Sequence, residues 1–492
     1  MKHPGRPPRH TSNMAKRDTR LRGTLLGLLI ATSFGFAVVQ LDVTIVNVAL
    51  PQIGSRLQAG VAGLQWVVDA YTLSFAALLI SAGVLGDRFG SRRAYLAGFL
   101  IFTAASIVCG LAPAIGVLIG ARALQGAGAA LLVPTSLSIL NHSAADDPAL
   151  RARMVGLWTA AGGVSIAAGP VAGGLLLSSL GWRSIFLVNI VLCCAAILLV
   201  FRFIPRDSQA TDSQANDSRP NAAQRLDPAG QLLAIVALTC LVGAVIEGGR
   251  LGAGHILVMG GALFGAVALA AFLYVESRVA APMLPLRFFR LPGFSPAVAF
   301  GIIVNLTYYG VIFVISLYLQ QARGYSPLRT GIAFLPLTAT FIVSNIICGW
   351  LTARKGPRVP MILGSIVGTA GYALLFPLSS DTSLLAMFPA FVLIPGGMGL
   401  AVPAMTTAIL SSVPRERSGT ASAVLNTARQ AGGAIGVAIF GALLGHARDR
   451  IIPGLHVSAL ISCGLLFIAA ALAWLGMSRK PTAKETPELS RA

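Results

Sequence analysis

The sequence predicts an all-α polytopic membrane protein, and three observations carry that prediction: its composition, the length of its apolar runs and the placement of its charge. Of 492 residues, 55% are hydrophobic and 11% charged, and the mean hydropathy is +0.78. That leaves too little polar surface to coat a soluble globule of this length. The apolar residues gather into runs of about 20, the length a helix needs to cross the hydrocarbon core. Fourteen such runs occur, at residues 24–50, 64–85, 94–111, 116–140, 154–177, 185–203, 230–246, 256–275, 294–319, 331–351, 359–378, 384–410, 419–444 and 457–477.

The formal net charge of +20 raises the question of nucleic acid, but no aromatic and basic stripe accompanies it. With the basic tail 1–23 placed in the cytoplasm, 28 of the 37 Lys and Arg fall in tails and loops on that side and 7 on the other. Arg122 and Arg429 lie within spans. An excess this large puts both termini in the cytoplasm and the protein in the cell membrane. The first apolar run is too long for a signal peptide, so the start reads as a cytoplasmic tail and first span, with Met14 an alternative start.

In chain order, residues 24–204 hold six spans. The polar stretch PRDSQATDSQANDSRPNAAQRLDP, 205–228, lacks apolar periodicity and reads as a disordered cytoplasmic linker. Residues 229–292 hold two inserted helices with a following Pro-containing loop. Residues 293–478 hold six more spans, and 479–492 form a cytoplasmic tail. The two sets of six repeat one another. GVLGDRFGSR at 83–92 is echoed by GWLTARKGPR at 349–358, and GAALLVP at 128–134 by GMGLAVP at 397–403. Two six-helix halves separated by an inserted pair explain both offsets.

Several functions are excluded. There is no Walker sequence, and the glycine-rich stretches lie in apolar helices whose amides are already bonded, so nothing cradles a phosphate. The histidines lack metal spacing, and the six cysteines lie in apolar runs, where core packing is the expected role. Neither an enzyme nor a metal site is expected.

The polar residues within spans carry the chemistry. Asp42 lies at membrane depth, where an ionised carboxylate costs several kcal/mol, so it should be neutral, paired or facing a water-filled cavity. Arg122 cannot shed its charge and needs an acid or a carbonyl cluster, with Asp42 the expected partner. Protonating Asp42 would loosen that pair. Asn47, Asp69, Gln125, Asn189, Asn426 and Arg429 are further polar groups at or near membrane depth. Glu247, at the outer end of its span, is expected to be solvated, and Trp66, Tyr71 and Trp182 to anchor at the interface. In the 83–93 loop, Gly83, Gly86 and Gly90 allow a tight turn, Asp87 can sit near a helix N-terminus, and Arg88, Arg92 and Arg93 hold the cytoplasmic face. In the fifth span, Pro170 kinks a helix whose Gly169, Gly173 and Gly174 form a smooth packing face.

Together these motifs resemble the major facilitator superfamily and, within it, the fourteen-span branch of drug:proton antiporters, over almost the whole chain. The 83–93 loop is similar to that family's G-x-L-x-D-R-x-G-x-R-R signature, which implies a conformational latch between the halves. Its second copy has Ala353 in place of the acid. LDVTIVNVALP, 41–51, resembles the branch's first-helix motif, RALQGAG, 122–128, resembles R-x-x-Q-G-x-G, and GPVAGG, 169–174, resembles an element associated with exporters.

The resemblance implies a proton-driven antiporter that exports hydrophobic or amphipathic small molecules by alternating access. It implies no cofactor beyond the proton gradient. Asp42 and Arg122 are the expected proton-coupling pair, and Asn47, Asp69, Gln125, Asn426 and Arg429 the expected cavity residues. The lipid bilayer, protons and a small-molecule substrate are the expected partners of a monomer, with recruitment of a periplasmic adaptor protein left open. The scarcity of acids in spans favours neutral, zwitterionic, anionic or monocationic substrates over divalent cations. An uptake symporter of the same fold, which Gly169 and Pro170 argue against, and a non-transporting scaffold or sensor, which leaves Asp42 and Arg122 unexplained, are the alternatives.

Overall fold

The computed structural model describes residues 9–143, 147–205, 227–279, 282–413, 417–444 and 450–477, with backbone alone for 9–24, 148–149, 152 and 418. Of the expected linker 205–228, residues 206–226 lie outside the described residues, as do the tails 1–8 and 478–492, while Asp227 caps α7 and Pro228 opens it. Regular structure among the described residues is helical: α1 (Arg9–Arg56), α2 (Val61–Phe89), α3 (Ser91–Leu111), α4 (Ile115–Ser143), α5 (Pro148–Leu180), α6 (Ser184–Phe203), α7 (Pro228–Leu251) and α8 (Ile256–Arg278). A short 3-10 turn, Leu286–Arg290, leads into α9 (Phe294–Leu317), α10 (Pro327–Ala333), α11 (Leu335–Lys355), α12 (Arg358–Ala373), α13 (Leu384–Ser411), α14 (Ser418–Leu444) and α15 (Ile451–Gly476).

Among the described residues, thirteen helical stretches are long and apolar enough to cross a membrane. The expected eleventh span is the exception. Its helix, α12, has 16 residues and ends in turns at Leu375 and Phe376. It is also among the most tightly packed, because a β-carbon at Gly364 or Gly371 would lie 2.6 Å from α13 backbone. The tenth span is broken at Phe334 into α10 and α11, two residues before Pro336, whose ring disfavours helical backbone just ahead of it. α1 runs past its expected end, straight through Pro51 to Arg56. Pro51 has no N–H, so the carbonyl of Asn47 four residues back has lost its helical donor. Ser316 of α9 supplies the replacement, its hydroxyl donating to that carbonyl at 2.5 Å.

The helices pack as two groups. α1 lies against α4, α5 and α6, α4 against α2 and α3, and α3 against α6. In the second group α9 lies against α13, α14 and α15, α13 against α11 and α12, and α12 against α15. α7 pairs with α8 and rests on both α2 and α14. The sequence repeat is a structural one. Gly90 and Gly356 turn their chains at φ 93° and 75°, a conformation that glycine adopts without strain. The arginine after each turn lies over an aromatic ring on the last helix of its half, Arg92 over Phe201 at 5.4 Å and Arg358 over Trp474 at 4.5 Å.

Among the described residues, the hydrogen bonds between the two groups lie toward the end of the bundle that carries loop 57–60 and down to its middle. There Gln65 of α2 donates to the Val437 and Ala438 carbonyls of α14 at 3.0 and 2.7 Å. Gln320 donates to the Val48 carbonyl at 2.9 Å, and Gly174 of α5 abuts Pro327 and Leu328 at the start of α10. Thr427 reaches the Ala76 carbonyl at mid-depth, 3.3 Å away.

Candidate functional site

The site is assembled inside the first half by α1, α3, α4 and α6. Asp42 and Arg122 are 0% and 2% exposed, and Arg122 Nη1 lies 2.5 Å from Asp42 Oδ2. Gln125, one turn along α4 from Arg122, donates to Asp42 Oδ1 at 3.0 Å and accepts from Arg122 Nη1 at 2.6 Å. Asn189 of α6 donates to the same carboxylate oxygen at 2.9 Å. Ser106 of α3 accepts from Gln125 at 2.9 Å. Arg122 Nε donates to the Val67 carbonyl of α2 at 3.1 Å, and the guanidinium lies 4.3 Å from the Tyr71 ring centre. One charge pair therefore ties α1, α4 and α6 together, with α2 held through Arg122. Three donors face the carboxylate, and such groups are strongly interdependent once water is excluded.

The other side of α1 rests on the GPVAGG stretch of α5. A β-carbon at Gly169 would collide with Thr44 Oγ1, and one at Gly173 would lie 3.0 Å from Ile45 Cγ1. Gly174 faces the second half, where a β-carbon would come within 2.7 Å of Leu328 Cα and 2.9 Å of the Pro327 carbonyl. α5 is thus a spacer between Asp42's helix and the opposing half. Pro170 lies inside α5, its carbonyl against Gly331 of α10.

The remaining expected residues are dispersed. Asn47 donates to the Val43 carbonyl of its own helix and is 7% exposed. Gln125 is fully buried within the Asp42 cluster and offers no free surface. Asp69 is 0% exposed, and neither carboxylate oxygen has a hydrogen-bond partner. It lies one turn from Gln65 and from Leu73, which packs with Ala434 and Ala438, so all three share the α2 face toward α14. Asn426 and Arg429 sit together on α14, joined by a 3.4 Å contact. The expected 83–93 loop is instead the last turns of α2, a turn at Gly90 and the first turn of α3, so Asp87 lies near the C-terminus of α2 and not at a helix N-terminus; Asp87 and Arg93 are exposed, and Asp87 forms no ion pair with a described residue. Arg88 lies over Phe89 at 5.5 Å, and Gly86 faces Thr135 of α4.

Three expectations are corrected. Tyr71 and Trp182 are 1% and 4% exposed, so they are packing residues and not interfacial anchors. Glu247 is only partly exposed, pairing with Arg250 at 2.6 Å and accepting from Trp66 Nε1 at 3.3 Å. Cys194 is exposed on the bundle surface, unlike buried Cys109, Cys193 and Cys348. Asn189, Ser106 and Tyr71 are members of the Asp42 cluster that sequence reasoning did not place there, and Gln125, expected in the substrate cavity, belongs to the cluster instead. For Asn189 the signal was an amide inside an otherwise apolar span, where it must find a partner.

Repeated helical halves, the first of them enclosing a buried carboxylate–guanidinium pair, are the build of a secondary transporter, not an enzyme. The chain belongs to the Major Facilitator Superfamily, whose family profile matches residues 32–437. Among curated proteins it is 38% identical over 421 residues to the Multidrug resistance protein Stp of Mycobacterium tuberculosis, covering 86% of this chain and 76% of that one. It is 37% identical over 454 residues to the Methylenomycin A resistance protein of Streptomyces coelicolor, covering 92% of each. It is also 37% identical to the Puromycin resistance protein of Streptomyces alboniger, covering 94% of this chain and 93% of that one. The fold is similar to a solved inward-facing, unoccupied bacterial homologue of the lysosomal transporter Spinster, with a TM-score of 0.62 at 19% identity over 93% of this chain and 96% of the other. The protein is a multi-pass membrane transporter.

Proposed function

We propose that this transporter is a proton-driven antiporter of the cell membrane that exports hydrophobic or amphipathic small molecules, antibiotics among them. The observation that carries the reading is the Asp42–Arg122 pair, a titratable acid and a permanent cation buried together at 2.5 Å. The distribution of basic residues places the 83–93 end in the cytoplasm. In that orientation the hydrogen bonds between the halves lie toward the outer end and at mid-depth.

A proton on Asp42 cancels its charge and weakens its hold on Arg122, Gln125 and Asn189. α1 is then freed from α4 and α6. The same helix presents the Asn47 and Val48 carbonyls to Ser316 and Gln320, and rests on α5 at Gly169. A shift of α1 is thereby passed to both outer contacts between the halves. Asp87 and the arginines of the 83–93 loop act in the opposite state, as a latch that closes the cytoplasmic end. Asn426 and Arg429, with Asn47 and Asp69, line the path of the exported molecule. The names of the relatives, which are resistance proteins for methylenomycin A and puromycin, support antibiotics as cargo.

Expression in an efflux-deficient bacterial host should lower the accumulation of lipophilic dyes and raise antibiotic resistance, and a protonophore should abolish both effects. Efflux that persists with the protonophore overturns the antiport reading.

A further inference from the structure

Two arginines lie inside spans, and they are treated differently. Arg122 has a carboxylate, a glutamine oxygen and a backbone carbonyl as acceptors. Arg429 has one long contact, Nη1 to Asn426 Oδ1 at 3.4 Å, and its buried Nε donates to nothing. It sits near the middle of α14, a helix that packs against α2, α7, α9, α13 and α15, yet the residue keeps some accessible surface. No Asp or Glu occurs anywhere in α9 to α15. The acids of the first half do not reach it either: Asp42 is committed to Arg122, and Asp69 makes no bond.

A guanidinium stays charged at any physiological pH, so this position carries a fixed, uncompensated positive charge at membrane depth. Its surroundings are suited to an organic guest. Its Cγ lies against Gly301 of α9, Asn305 one turn further holds a buried Oδ1 without a partner, and the Tyr309 ring packs on Gly433, one turn along α14. We propose that Arg429 and Asn426 form an anion-accepting subsite of the transport path, which binds a carboxylate or comparable oxyanion on a flat apolar molecule. The inference rests on the transport reading and adds to it a substrate class: acidic amphipathic compounds. The guanidinium offers paired N–H donors to the anion, and Asn426 supplies a side-chain amide beside them.

The test uses three anthracene probes of one shape: anthracene-9-carboxylate, its carboxamide, and 9-(aminomethyl)anthracene as the cation. Binding to the purified full-length protein in detergent is read by energy transfer from its tryptophans, with no proton gradient applied. Failure of the antiport reading therefore shows in the efflux assay and failure of this one in the titration. The wild-type protein is expected to bind the carboxylate about tenfold more tightly than the amide and the cation most weakly. Arg429→Gln should erase the preference for the carboxylate over the amide, with folding of the variant checked separately by its gel-filtration profile and thermal unfolding in the same detergent. Arg429→Lys should keep part of the preference. Excess sodium acetate should not displace the carboxylate probe; displacement by acetate alone would mark a small-ion site and overturn the organic-substrate assignment. Equal affinities in the wild type, no binding of any probe, or an intact preference in Arg429→Gln would likewise overturn it.

Discussion

Asp42→Asn is the most demanding test of the buried pair, because the two outcomes differ by several kcal/mol. The substitution keeps the shape of the side chain and removes one charge, leaving Arg122 at 2% exposure without its 2.5 Å partner. Stranding one ion of a buried pair costs about 3–5 kcal/mol. The lower end applies here, since Gln125 Oε1 at 2.6 Å, the Val67 carbonyl at 3.1 Å and the Tyr71 ring still face the guanidinium. Adding Arg122→Gln removes the stranded charge, so the double variant should regain more than half of the loss. Unfolding in mixed detergent and dodecyl sulfate micelles measures each step. In proteoliposomes, Asp42→Asn should still exchange labelled for unlabelled substrate but should fail to concentrate it against a proton gradient. A loss below about 1 kcal/mol, or a double variant no more stable than Asp42→Asn, would refute the idea that these two charges depend on each other.

Two further outcomes concern the loop 57–60 end. Gly174→Ala places a methyl 2.7 Å from Leu328 Cα, and relieving such a clash costs about 1–3 kcal/mol, so spin-label distances across the loop 57–60 end should lengthen, whereas Gly464→Ala, with nothing within 4 Å, should leave them unchanged. Ser316→Ala orphans the Asn47 carbonyl that Pro51 already deprives of a helical donor, weakening the same contact by about 1–3 kcal/mol, and adding Pro51→Ala should restore a donor and recover stability.

The sequence was most informative where a single residue type has few tolerable environments. An arginine and an aspartate in separate apolar spans had to be satisfied, and they are satisfied by each other. The repeat at 83 and 349 was legible because a turn with positive φ calls for glycine, and Gly90 and Gly356 both supply it. Helix ends were less legible. Pro51 reads locally as a stop, but the bond it removes is replaced from another helix, which local sequence does not encode. Tyr71 looked like an interfacial ring because its amphipathic side chain suits that place. Tertiary packing turned it inward, over Arg122 at 4.3 Å. Asn426 and Arg429 were visible as polar residues, but which of the two in-span arginines lacked an acidic partner depended on how the helices pack.

The inserted pair has a consequence for how the halves move against each other. α7 bridges α2 and α14, so one lateral seam between the halves lies behind α7, with α8 outside it, and Leu263, Phe264 and Val267 of α8 face lipid. On the opposite flank, where α5 meets α10 and α11, no described helix covers the seam. The molecule is therefore one-sided, its seam doubly covered on one flank and a direct contact of α5 with α10 and α11 on the other. Any change in the angle between the halves must therefore be absorbed at the α5–α10 and α5–α11 contacts on that flank and at the α7 bridge on the other.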